Sequence, residues 1–108
     1  MLVKYNNKKI RIDAREVKGF GTVSGLMFKS KNTGNLFFRK VFGIHSFFVF
    51  FDFLAVWLNS DGDVLKVDVV KPFSFNINSP EGYRGLIEIP INNRNRKNIE
   101  LLVGEGKV

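Results

Sequence analysis

The segment that most constrains this fold covers residues 47–57, which read Phe-Phe-Val-Phe-Phe-Asp-Phe-Leu-Ala-Val-Trp. Aromatic and β-branched residues favour strands, in which alternate side chains point to opposite faces. Both faces of this segment are apolar, so a strand that is covered on both sides is predicted. An extended chain over residues 44–58 would span about 50 Å, which is too long for one strand. Asp52 is its one acidic residue, and a bulge, bend or strand switch is therefore predicted there, with residues 53–58 forming a second strand.

The remaining chain carries strand and turn signals at close spacing. The predicted elements are a hairpin over residues 2–17 that turns at Asn6-Asn7, a short helix or turn at 22–28, a tight Asp-Gly hairpin at 59–63, strands at 64–70 and 86–91, and a helix at 93–102 that is capped by Asn93. This pattern predicts a mainly β fold, a compact β-sandwich or barrel-like sheet with one or two short helices. With 108 residues, the chain is expected to form a single domain.

Composition excludes several kinds of site. The chain has no cysteine, which rules out a disulfide framework, a thiol nucleophile and a cysteine-based metal site. One histidine is too few for a histidine-rich metal site, so no metal or cofactor is expected. Residues 1–15 contain no apolar stretch of signal-peptide length, and the expected location is the cytoplasm. Residues 41–60 are apolar enough that a membrane-spanning segment has to be considered. Asp52 near the centre of such a segment would cost about 2.5–3.5 kcal/mol within a bilayer, so a core strand is the better interpretation.

The net charge of +7 is unevenly distributed. Residues 1–40 hold ten Lys and Arg against two acids, whereas residues 41–93 hold three against six. A smaller basic cluster follows at residues 94–97. Basic surfaces bind nucleic acids and other polyanions, and they also keep proteins soluble. The candidate polyanion contacts are Lys8, Lys9, Arg11, Lys29, Lys31, Arg39, Lys40, Arg94, Arg96 and Lys97.

Catalysis has few candidates in this sequence. His45 and Ser46 are neighbours on a predicted strand and face opposite sides, so His45 cannot activate Ser46 unless the backbone bends. Asp52 lies within a phenylalanine run. A carboxylate there must pair with a cation, reach solvent or have a raised pKa. An enzyme that uses Asp52 and His45 as acid–base partners is therefore one hypothesis, which ranks third after the two given below. Asn59-x-Asp61-x-Asp63 lacks the glycine and glutamate of a calcium loop and is interpreted as a hairpin turn.

Five ordered motifs resemble the small prokaryotic domain-of-unknown-function family one-nine-two. They are Gly25-Leu-Met27, Gly43-Ile-His-Ser-Phe-Phe-Val49, the turn at residues 58–64, Lys71-Pro-Phe73 and Leu86-Ile-Glu-Ile-Pro90. The resemblance covers residues 17–108 and implies a mostly β sandwich or barrel-like sheet with no established activity. The family commonly has an arginine at the position of Phe50 and an acid at the position of Leu54. If that acid has a role in the family, the resemblance implies that this chain lacks it or has moved it to Asp52.

Two functional hypotheses follow. The first is a non-enzymatic ligand-binding or interaction module inside the cell, whose pocket is bordered by Met27, His45, Asp52, Lys71 and Phe73. The alternative is nucleic-acid binding through the basic clusters. The expected partner is accordingly a small ligand or a nucleic acid, and no membrane.

Overall fold

The computed structural model describes residues 1–17, 34–39, 51–71 and 79–104. Its elements are β1 (Leu2–Tyr5), β2 (Lys8–Arg11), β3 (Ala14–Glu16), β4 (Asn35–Arg39), β5 (Phe53–Leu58), β6 (Val64–Val70), β7 (Gly85–Pro90), a 3₁₀ turn (Asn93–Asn95) and helix α1 (Arg96–Val103). The predicted mainly β class with a short helix is confirmed. The helix or turn predicted at residues 22–28 lies outside the described residues.

The strands form a two-stranded and a five-stranded sheet. β1 pairs with β2, and the larger sheet has the order β3-β4-β7-β5-β6. All neighbours are antiparallel except β3 and β4, which are parallel. Over the described ranges no pairing joins β3 to β6, so the sheet is open. Of the two predicted forms, a sandwich or a barrel-like sheet, the structure has two separate sheets, and the larger one is not closed into a barrel.

The strand predicted to follow Asp52 is confirmed. β5 begins at Phe53, and a bend at Phe51 precedes it. Each of its six residues is buried, as expected for a strand that is apolar on both faces. The first half of the predicted strand, residues 44–50, lies outside the described residues.

The two faces of the five-stranded sheet pack in different ways. We call one the hairpin face, because the β1–β2 hairpin and α1 cover it. Its core is Val3, Ile10, Ile12, Leu54, Val56, Leu58, Ile87, Ile89, Ile99 and Leu102. We call the other the tryptophan face, with a core of Leu36, Phe38, Phe51, Phe53, Ala55, Trp57, Val70, Tyr83 and Leu86. The hairpin and the helix therefore form one layer on a single side of the sheet.

The predicted turn at Asn6-Asn7 is confirmed, but the hairpin ends at Arg11 and not at residue 17, because Ala14–Glu16 pairs with β4 in the larger sheet. Tyr5 pairs with Lys8, and Asn6 and Asn7 have φ angles of 51° and 64°. Positive φ at both central residues is the conformation of a type I′ turn, which follows the twist of the strands and tolerates asparagine. The structural reason for two asparagines is thus a left-handed backbone rather than a polar contact.

Replacing Asn7 tests this explanation. We expect Asn7→Ala to lower the free energy of unfolding by about 1 kcal/mol, because a Cβ disfavours the left-handed conformation. Asn7→Gly should leave stability unchanged or raise it slightly. Urea denaturation followed by circular dichroism measures both, and an equal loss for the two variants would show that the asparagine side chain matters more than the backbone.

The Asp-Gly hairpin between β5 and β6 is also confirmed. Asn59 Oδ1 accepts hydrogen bonds from the backbone N–H groups of Asp61 and Asp63, both at 2.9 Å. Gly62 takes φ 81°. The side chain of Asn59 therefore holds the turn from within, which is the turn interpretation and not that of a calcium loop.

The C-terminal helix is shorter than predicted. A 3₁₀ turn covers Asn93–Asn95 before α1 begins. The cap is Asn92, whose Oδ1 accepts from the N–H of Asn95 at 3.0 Å, and not Asn93 as predicted. Asn95 is itself buried, and its Nδ2 donates to the carbonyl of Pro90 at 2.8 Å. Two consecutive side-chain contacts fix where the chain leaves β7 and turns back over the hairpin face.

Among the described residues, no helix has the length and apolar character needed to cross a membrane.

Candidate functional site

The outer side of the β1–β2 hairpin is basic. In an antiparallel pair, residues opposite each other share a face. Lys4 is opposite Lys9, and Leu2 is opposite Arg11. The alternate pair of Val3 and Ile10 points inward and is buried. The period of two that builds the core therefore sends Lys4, Lys9 and Arg11 outward. Lys8 is opposite the half-buried Tyr5 on the inward face, and it is exposed because it lies at the turn end of the hairpin.

The helix adds a second group of cations to the same layer. Ile99 and Leu102 are buried against the hairpin face, and α1 packs beside β2. Arg96 and Lys97 are exposed in the first turn of α1. Clusters that lie more than eighty residues apart in sequence are therefore brought into one layer, which we call the basic layer (residues 1–12 and 92–104).

Charge is segregated between this layer and the rest of the described chain. The basic layer holds seven basic side chains and one acid: Lys4, Lys8, Lys9, Arg11, Arg94, Arg96, Lys97 and Glu100. The other described residues hold five basic side chains and eight acids: Arg15, Arg39, Lys66, Lys71, Arg84, Asp13, Glu16, Asp52, Asp61, Asp63, Asp68, Glu81 and Glu88. The net positive charge of the described chain thus comes from one side of the sheet.

Several cations of the basic layer have no acidic neighbour among the residues that the structure describes. Lys4 lies 3.5 Å from a carboxylate oxygen of Asp63, and Arg96 lies 3.2 Å from Glu100. Four other cations of the layer are Lys8, Lys9, Arg11 and Lys97. Over the described residues, no carboxylate oxygen lies within 4.0 Å of their charged groups. These four charges remain available for an anionic partner.

Other predicted contacts lie elsewhere. Arg39 is in β4, and its Nε donates to Glu16 Oε2 at 3.0 Å. The guanidinium of Arg39 also lies 5.7 Å from the ring centre of Phe37. Arg39 is therefore held within the sheet and does not belong to the basic layer. Lys29, Lys31 and Lys40 lie outside the described residues.

Two residues of the predicted ligand pocket, Asp52 and Lys71, are among the described residues. Lys71 Nζ donates to Asp52 Oδ2 at 2.8 Å, and the side chains are 70% and 36% exposed. The Asp52 backbone carbonyl also accepts from the N–H of Ile91 at 3.0 Å. The structure thus brings Asp52 and Lys71 together as an ion pair at the entrance to β5. Met27, His45 and Phe73 lie outside the described residues, so the pocket and the Asp52–His45 pairing stay predictions.

The tryptophan face carries a polar group that sequence reasoning missed. Trp57 Nε1 donates to Asp68 Oδ2 at 3.1 Å, and Lys66 Nζ lies 3.2 Å from the same oxygen. Ala55 lies between Asp68 on β6 and Glu88 on β7, and Glu88 is only 6% exposed. The sequence did contain a signal for this group, because Glu88 stands between Ile87 and Ile89 in an apolar strand. A carboxylate buried in such a strand needs polar partners.

No three acidic or histidine side chains among the described residues are arranged to hold a metal ion. Comparison with protein-family models, with curated proteins and with solved structures finds no match to this chain. The resemblance to family one-nine-two therefore stays a prediction.

Proposed function

We propose that this chain is a non-enzymatic interaction module of the cytoplasm, whose basic layer binds the phosphate backbone of a nucleic acid. The observation that carries the proposal is the segregation of charge, with seven cations and one acid on one side of the sheet. The five motifs support membership of family one-nine-two as a further proposal, which adds no activity.

Backbone binding suits the composition of the basic layer. Phosphate oxygens accept from lysine and arginine whatever the base sequence, whereas base stacking requires exposed aromatic rings. Tyr5 is the aromatic residue of the layer, and it is half-buried among the core side chains. We therefore expect little preference for base sequence.

The four cations without carboxylate neighbours set the expected salt dependence. Each phosphate that is neutralised contributes about −0.9 to the slope of log affinity against log salt for duplex DNA, and about −0.7 for single strands. Four contacts predict slopes of about −3.6 and −2.8 in the two cases. Fluorescence anisotropy with labelled duplex and single-stranded oligonucleotides over a range of salt concentrations measures these slopes.

The chain offers a matched pair of variants for this experiment. Arg11 and Arg15 are both exposed strand arginines, but Arg11 lies in the basic layer, while Arg15 is opposite Leu36 and belongs to the tryptophan side. We expect Arg11→Glu to weaken binding about tenfold and to reduce the slope by about 1. Arg15→Glu should leave the slope unchanged.

Both variants change net charge equally, so the comparison separates a defined surface from general attraction. Equal losses for Arg11→Glu and Arg15→Glu would mean that only net charge matters, and the basic layer would not be a binding site. No binding at low salt by the unmodified chain would reject the proposed function itself.

A further inference from the structure

Within the residues that the structure describes, the strand β6 forms one edge of the five-stranded sheet. Among the described residues, its outer side meets β1 only at its start, where the N–H of Lys4 donates to the carbonyl of Gly62 at 2.8 Å. Beyond this point Leu65 and Val69 are 41% and 45% exposed. An edge strand with exposed apolar side chains is a surface to which another strand can pair.

The sequence of β6 is complementary to itself about Val67. In an antiparallel pair of identical strands centred on this residue, Leu65 is opposite Val69 of the copy, and Lys66 is opposite Asp68 of the copy. Centring the pair on Lys66 would oppose two lysines, and centring it on Asp68 would oppose two carboxylates. Of these registers, only the one about Val67 combines opposite charges with apolar contacts.

We propose that two copies of this chain associate through antiparallel pairing of β6 about Val67. The register shift near Leu65, where Trp57 pairs with Lys66 and Leu58 with Val64, shows a bulge that shortens the regular edge. The three central pairs, from Lys66 to Asp68, fall on the regular part. A lysine on an edge strand ordinarily discourages pairing, but in this register it faces a carboxylate.

The proposed pairing also has a defined consequence for the rest of the molecule. Side chains opposite each other in an antiparallel pair lie on the same face, so the twofold axis is perpendicular to the sheet. Both hairpins and both α1 helices then lie on one side of a continuous sheet formed from two five-stranded sheets. The inference is independent of the proposed function, since association is measured without any nucleic acid.

Cysteine cross-linking tests the register directly, because the chain contains no native cysteine. In the proposed dimer the two copies of Val67 have Cα atoms about 4.5–5.5 Å apart, within the range that a disulfide bridges. We expect Val67→Cys to form a covalent dimer with oxidised glutathione as the oxidant. Leu65→Cys and Val69→Cys should not cross-link when alone, because neither residue faces its own copy in this register.

Each result of this experiment decides the proposal. Cross-linking of Val67→Cys at least tenfold faster than of either control is the expected result. Equal rates for the three variants, or faster cross-linking of Val67→Cys with Val69→Cys than with itself, would reject the register. Sedimentation of the unmodified chain provides the second measurement: a mass that stays at that of one chain at millimolar concentration would overturn the proposal.

Discussion

Trp57→Ala is expected to lower the free energy of unfolding by about 3–5 kcal/mol, among the largest effects of any single substitution in this chain. Trp57 has no exposed surface and lies in β5, between β6 and β7. Its ring meets the ring of Tyr83 edge-on, with centroids 5.1 Å apart. Truncation would remove this contact, open a cavity and take away the hydrogen bond that Asp68 accepts from Nε1.

A second variant at this position separates packing from hydrogen bonding. Trp57→Phe keeps an aromatic ring in the core but removes the donor, and we expect a loss of about 1–3 kcal/mol. Trp57 is the chain's only tryptophan, so urea unfolding must be followed by far-ultraviolet circular dichroism rather than by tryptophan fluorescence. A loss below 1 kcal/mol for Trp57→Ala would contradict the central position assigned to this residue.

The second large effect is expected at the contact that holds α1 on the sheet. Ile99 has no exposed surface and belongs to the core of the hairpin face. We expect Ile99→Ala to lower the free energy of unfolding by about 2–5 kcal/mol. Leu101, two residues further along the same helix, is 40% exposed, and Leu101→Ala should change stability by no more than about 0.5 kcal/mol.

The same pair of variants connects stability to binding. Arg96 and Lys97 lie on the helix that Ile99 anchors, so loosening α1 should also weaken oligonucleotide binding, even where the rest of the chain stays folded. Anisotropy at a temperature well below the unfolding midpoint measures this effect, with Leu101→Ala as the control. Unchanged affinity in Ile99→Ala would show that the hairpin cations bind without those of the helix.

Local signals explain which parts of the fold could be predicted from sequence. Asn6-Asn7 and Asp61-Gly62 specify their turns by the backbone conformations that they tolerate, and both hairpins are found. Asp52 interrupts an apolar run, and β5 begins at the next residue. In each case the cause lies within a few residues of the effect, so a single sequence is sufficient.

The features that could not be predicted depend on contacts between distant segments. Asn92 and Asn93 are equally good caps by residue type, and the choice between them depends on how β7 ends and where Asn95 is buried. Two basic clusters are visible in the sequence, but their meeting in one layer depends on α1 packing beside β2. Similarly, the sequence shows Asp68 as one more charged strand residue, whereas its partner Trp57 is eleven positions away.

The position of α1 also has a consequence for how the chain folds. The hairpin precedes the strands of the large sheet along the chain, and the helix follows the last of them. The contact between the segments of Ile10 and Ile99 closes a very long loop. Because local contacts are entropically cheaper, we expect it to form after the hairpin itself. Until this contact forms, the cations of the hairpin and those of the helix would not lie in one layer. Full affinity for a polyanion would therefore report that folding is complete.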